Sequence, residues 1–172
     1  MEQRPQTFAR AVAGDPDSFS RLLEPLLDPA YRLAAVMLND RAGAEDAVQE
    51  AAIKAWRKVK QLRGDAGSLR PWFLSIVANE CRMARRGRWW SVIKLADVKA
   101  PSAEPDMVRT DLHQALLRLS PEERLPLVLH FYLDLPLEEL ARTLGVSQSA
   151  ARSRVYRAAR RLRDDLTIEE VF

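Results

Sequence analysis

Six arginines crowd the segment 152–163: Arg152, Arg154, Arg157, Arg160, Arg161 and Arg163, with no acid before Asp164. A guanidinium is a planar fork of donors that fits a phosphate or the O6/N7 edge of guanine. On a helix, Ser149, Arg152, Ser153, Tyr156, Arg157 and Arg160 turn to one side, mixing groups that bond base edges with groups that bond phosphates. Ala151, Val155, Ala158 and Leu162 recur at steps of four, three and four and form the opposite, apolar stripe. This chemistry is recognition of a polyanion and breaks no bonds.

The preceding residues supply what such a helix needs for positioning. Leu137, Leu140, Ala141 and Leu144 make a short amphipathic helix, Gly145 ends it, and Ser147 is a good cap for the next. Ala141 stands four residues before Gly145, where two helices must approach closely. Two short helices about a glycine turn, the second basic, make a helix-turn-helix that places its second helix in a major groove. The competing reading is an arginine-rich solvated face on an ordinary helix pair.

Charge is unevenly spread on a chain of 172 residues with net charge +3. Arg82–Lys94 holds five basic residues and Arg142–Arg163 seven, neither with an acid, whereas Glu104–Glu139 holds eight acids against three bases. Two basic islands on a near-neutral chain imply two separate nucleic-acid contacts.

Other chemistries find no support. Cys81 is the single cysteine, so no disulfide and no thiolate cluster is expected. His113 and His130 lie at no ligand spacing, and no nucleophile–base pair or glycine-rich phosphate loop is visible. No metal, cofactor or enzymatic activity is therefore expected. No apolar run reaches the ~20 residues of a membrane span, and the first ten residues lack a signal peptide's apolar core, so a cytoplasmic protein without membrane insertion is expected.

The rest of the chain reads as helix, with no period-two run to suggest a strand. Asp15-Pro16 opens a helix bearing Phe19, Leu22, Leu23, Leu26 and Leu27, and a second apolar run, Tyr31–Leu38, follows Asp28-Pro29. Over Arg41–Val59, Ala44, Ala47, Val48, Ala51, Ala52, Ala55, Trp56 and Val59 form a stripe. Glu45, Asp46, Gln49 and Glu50 gather on its other side, either a docking face for a basic partner or a solvated face held by pairs such as Glu50–Lys54. After Gly64 and Gly67, a helix from about Pro71 to Arg86 carries Trp72, Phe73, Ile76, Val77 and Cys81. Residues 87–106, with Pro101, Ser102 and Pro105, read as a flexible linker. Helices resume near Met107, and Ser120-Pro121-Glu122-Glu123 is a strong start for one running through Leu133. The expected fold is all-α: a helical domain over 1–86, a linker, and a helix-turn-helix domain over 107–172.

Three segments resemble, in order, the bacterial RNA polymerase sigma factors of the extracytoplasmic-function (ECF) group. Residues 44–51, ending at Ala55-Trp56, are similar to the helix with which that family docks on the polymerase core. Residues 62–65, through Trp72-Phe73 to Asn79-Glu80-Cys81-Arg82, resemble the segment that melts and reads the −10 element. Residues 153–158 of the helix-turn-helix resemble the −35 reader. The resemblance implies two small helical domains on a tether, a polymerase core and promoter DNA as partners, and an anti-sigma factor as inhibitor. The chain is expected to be monomeric when free. It also implies roles: Glu45, Asp46, Gln49 and Glu50 on core; Arg63, Asp65, Ser68, Asn79, Arg82, Arg85 and Arg86 at −10; Ser149, Arg152, Ser153, Tyr156, Arg157 and Arg160 at −35.

The chain departs from the family pattern at named places. Leu62 stands where the family usually has an aromatic, the loop carries an extra small residue within Ala66-Gly67-Ser68, and Ser149-Ala150-Ala151 replaces a frequent Gly-Thr-Val. Trp72 suits either stacking on a base or anchoring the core. Trp89-Trp90-Ser91-Val92-Ile93 suits either packing on the first domain or docking a partner. A dimeric helix-turn-helix repressor is the rival reading. It leaves the acidic helix face and the Arg82–Lys94 island unused.

Overall fold

The computed structural model describes residues 3–94 and 111–169. Among them all regular structure is helical, as the periodicity requires, and the chain divides into two compact units, Met1–Cys81 and Arg82–Phe172.

The first unit opens with α1 (Gln3–Ala13), which the sequence reading did not anticipate. It buries Phe8 and Ala11 and packs on α2 (Pro16–Leu38). Asp15 caps α2, its carboxylate accepting from the Ser18 amide at 2.9 Å. The sequence suggested a break at Asp28-Pro29, but α2 runs unbroken through Pro25 and Pro29. Each interior proline costs about 3 kcal/mol. The carbonyls that lose their donors belong to Arg21 and Pro25, both on the exposed side where water can bond them. The opposite side buries Leu22, Leu23, Leu26, Leu33 and Met37, each worth about 1.5–3 kcal/mol, so burial outweighs the two breaks.

Helix α3 (Arg41–Lys58) continues into a tight turn, Val59–Gln61, and packs along α2 through Ala44, Ala47, Val48, Ala51 and Ala55. Trp56, read as part of that stripe, stands at its edge. It is 39% exposed, its ring tilted against Phe19 at 5.2 Å between centroids. A loop and a short turn, Ala66–Ser68, lead into α4 (Leu69–Lys94). This helix starts before Pro71 and passes through Gly87, where the sequence pattern suggested its end. One interior glycine costs only about 1 kcal/mol relative to alanine, and no proline follows before Pro101. The expected linker's residues 95–106, and 107–110 of the next helix, lie outside the described residues.

In the second unit, α5 (Asp111–Arg118), α6 (Pro121–Leu127) and α7 (Leu137–Leu144) each pack against α8 (Gln148–Glu169). The capping box of α6 forms as the sequence indicated: Ser120 Oγ accepts from the Glu123 amide at 3.3 Å, and Glu123 Oε2 from the Ser120 amide at 3.0 Å. The Ser120 side chain, followed by the Ser120 amide, holds the Glu123 carboxyl below its ordinary value. After Leu127 the helix widens over Val128–Tyr132, where the Leu133 amide reaches back to the Val128 carbonyl at 3.0 Å. His130 Nδ1 donates to the Leu135 carbonyl at 2.8 Å, which bolts this wide turn to the strap leading into α7. Arg124 is buried and caps the end of α5. Its Nε donates to the Leu116 carbonyl at 2.7 Å, and one terminal nitrogen to those of Leu117 and Leu119 at 2.8 and 3.0 Å.

Candidate nucleic-acid interface

The helix-turn-helix forms as its residues dictate. Gly145 takes the left-handed conformation (φ 65°) that closes α7, and the Val146 amide bonds the Ala141 carbonyl at 3.0 Å. Ser147 Oγ accepts from the Ala150 amide at 3.2 Å and starts α8. Leu140, Ala141, Ala151, Val155 and Ala158 are buried where the two helices meet the rest of the unit. The other side of α8 presents Ser149, Arg152, Ser153, Tyr156, Arg157 and Arg160, all exposed, with Tyr156 at 71%.

These six residues are the ones read from the sequence as a recognition face. Ala150, Arg152, Ser153, Arg154, Tyr156 and Arg157 line an open groove on this face. Arg157 rests against its own helix, Nε to the Ser153 carbonyl at 3.4 Å. That long contact leaves the guanidinium at little cost. Arg161 points elsewhere, 4.0 Å from Glu123 of the capping box, and ties α8 to the start of α6.

In the first unit, the 62–68 loop is organised by Asp65. Its Oδ1 accepts from the Gly67 amide at 3.0 Å and the Ser68 hydroxyl at 3.3 Å. Gly64 has φ 113°, and a Cβ there would lie 2.5 Å from Ser68 Oγ, so the loop closes on a glycine. Asp65 and Ser68, both expected at −10, thus bond each other within the loop, while Arg63 is exposed. On α4, Asn79, Arg82, Arg85 and Arg86 are exposed, and Trp72 is half-buried. The side chains of Trp89 and Trp90 lie outside those described.

On α3, Glu45, Asp46, Gln49 and Glu50 are exposed, and Glu45 pairs with Arg41 at 3.3 Å. Ile53 is 44% exposed and follows Asp46, Gln49 and Glu50 by seven, four and three residues, which extends that face with an apolar side chain the sequence reading did not single out. Lys54 does not pair with Glu50 as the spacing suggested. It bonds Glu80 of α4, Nζ to Oε2 at 2.6 Å. Cys81 is buried beside it, and burial, followed by the nearby Glu80 charge, pushes its thiol up to about 12. Among the described residues, no group of three or more His, Cys, Asp or Glu side chains is placed to hold a metal ion, and no helix is long and apolar enough to cross a membrane.

The chain matches the family models Sigma-70 region 2 over residues 22–91 and Sigma-70 region 4 over residues 109–162. It is 31% identical over 160 residues to the ECF RNA polymerase sigma factor SigM of Mycobacterium tuberculosis, covering 91% of this chain and 81% of that protein. It is 28% identical over 163 residues to the ECF RNA polymerase sigma factor BldN of Streptomyces coelicolor, where it spans 62% of the relative's length. Among solved structures, the sigma factor RpoE in complex with the anti-sigma factor NepR from Bartonella quintana superposes with a TM-score of 0.69 at 26% identity, covering 87% of this chain and 97% of that one.

Proposed function

The chain belongs to the ECF RNA polymerase sigma factors, and from that premise we propose that it binds polymerase core and directs it to promoters with a −35/−10 pair, under the control of an anti-sigma factor. The observation that carries this reading is α8. Its six outward residues are all exposed, Ala151, Val155 and Ala158 of its inner stripe are buried while Leu162 is half-buried, and it lies largely within the segment matching region 4.

The tasks are divided along the chain. Helix α8 anchors duplex DNA at −35 through Ser149, Arg152, Ser153, Tyr156, Arg157 and Arg160 in the major groove, with arginines supplying both base-edge and phosphate contacts. The α3 face of Glu45, Asp46, Gln49 and Glu50, extended by Ile53, docks on core. The 62–68 loop and Asn79 capture an unstacked −10 base, while Arg82, Arg85 and Arg86 hold the strand's phosphates. Asp65 shapes that pocket from within, since one of its oxygens is already committed to Gly67 and Ser68. Bond formation belongs to the polymerase, and the chain contributes specificity. It therefore acts wherever the polymerase is, in the cytoplasm. An inhibitor that covers the α3 or α8 face silences it.

The test is to mix the purified chain with sigma-free core and to sequence transcripts made from genomic DNA of its source. New starts that share one −35/−10 pair are expected. A folded, inhibitor-free chain that binds no core and yields no new starts contradicts the proposal.

A further inference from the structure

We infer that the Lys54–Glu80 ion pair is a positioning device that holds the −10-reading face of α4 in register with the core-docking face of α3; the inference rests on the functional reading above. The two residues are 26 apart in sequence and bond at 2.6 Å. The Glu80 side chain is 8% exposed and that of Lys54 40%. Lys54 has an acid four residues earlier on its own helix, in the favourable Glu-before-Lys order, yet it turns to the buried carboxylate of α4. A carboxylate removed from water requires a partner, so a slide or rotation of α4 that breaks this bond is strongly opposed.

The location gives the pair its role. Lys54 stands one helical turn beyond Glu50, at the end of the docking face, and Glu80 directly follows Asn79 and lies two residues before Arg82. The buried stripe of α3 is mostly alanine, with Ala44, Ala47, Ala51 and Ala55 around a single Val48. That stripe packs along α2. Between α3 and α4, the short, charged, partly buried Lys54–Glu80 bond opposes an axial slide. Core engagement at Glu50 is then transmitted through this side-chain link to the groups that meet the opened strand.

The test uses the full chain with core polymerase. Lys54→Met/Glu80→Gln leaves no unpaired buried charge, so its thermal midpoint should stay near that of the parent. Its affinity for core should be unchanged, while open-complex formation on a duplex promoter should fall about tenfold, the cost of a modest misplacement of reacting or recognition groups. Lys54→Arg, which keeps the charge and reaches the same carboxylate, should retain opening. Opening at the parent's rate by the double variant would overturn the inference, because the pair would then contribute stability alone. A loss of core affinity in step with opening would also overturn it, since the pair would then shape the docking face. Should the parent chain itself neither bind core nor open promoters, the functional reading fails first, and the two failures are thereby distinguished.

Discussion

Replacing Arg124 with methionine should destabilise the second unit selectively. The guanidinium makes at least three hydrogen bonds at 2.7–3.0 Å to the carbonyls of Leu116, Leu117 and Leu119, which are the unpaired acceptors at and just beyond the end of α5. Burial lowers its pKa to about 10, so it is charged at neutral pH. Hydrogen bonds from a charged donor contribute about 1.5–3 kcal/mol each, and releasing the guanidinium from its buried site returns several kcal/mol. Methionine fills most of the volume but donates nothing, which leaves an expected net loss of about 3 kcal/mol. For a unit of this size that is a fall in midpoint on the order of 15 °C.

The assay is thermal denaturation followed by circular dichroism, with hydrogen exchange read by mass spectrometry to locate the loss. Amides of α5–α8 should lose protection while those of α1–α3 keep theirs. Core affinity, assigned to α3, should survive. A midpoint lowered by less than about 4 °C, equivalent to under 1 kcal/mol, would refute the assignment of Arg124 as the main cap of α5.

Three further outcomes are expected. Cys81, with its thiol raised to about 12 by burial, should resist alkylation at pH 8 in the native chain and react quickly in denaturant; rapid native labelling would contradict its burial. Ser120→Ala should cost about 1 kcal/mol through the lost cap. The folded Glu123 carboxyl lies below its unfolded value, so its stabilisation is present above the unfolded pKa and is lost as pH falls through the folded one. The gap between parent and Ser120→Ala should therefore narrow in acid, and a gap independent of pH would exclude the carboxylate from the box. Tyr156→Ala, which removes an exposed aromatic but no charge, should weaken −35 binding without changing its salt dependence, whereas Arg152→Ala should reduce the salt slope by about one.

The parts legible in the sequence were those set by local chemistry. Ser120 with Glu123 announces a capping box, Gly145 a left-handed stop, and the spacing of Ala151, Val155 and Ala158 a buried stripe; each of these depends on residues within a few positions of one another. The recognition face followed from the same periodicity. What escaped was set at a distance. Asp28-Pro29 looks like a break until the carbonyl that Pro29 orphans, that of Pro25, is seen to lie on the exposed side of α2. Lys54 had a suitable partner one turn away and chose one 26 residues on, and nothing near Arg124 in the sequence announces that it caps the end of α5. Helix α1 went unread because Phe8 and Ala11 alone give too short an apolar pattern. The continuation of α4 past Gly87 was hidden by overestimating a single glycine.

The most direct measurement is a paired one on Arg157→Ala and on Asp46→Ala/Gln49→Ala, with core affinity and initiation from a −35-dependent promoter read side by side. All three positions are exposed, so the variants test contacts and leave the fold intact. Arg157→Ala should lower initiation about tenfold or more, the loss of one good base or phosphate contact, with core affinity unchanged. The α3 double variant should do the reverse, losing core affinity while the helix-turn-helix still binds −35 duplex. If both variants lose both activities together, or neither loses either, the division of labour between α3 and α8 is wrong.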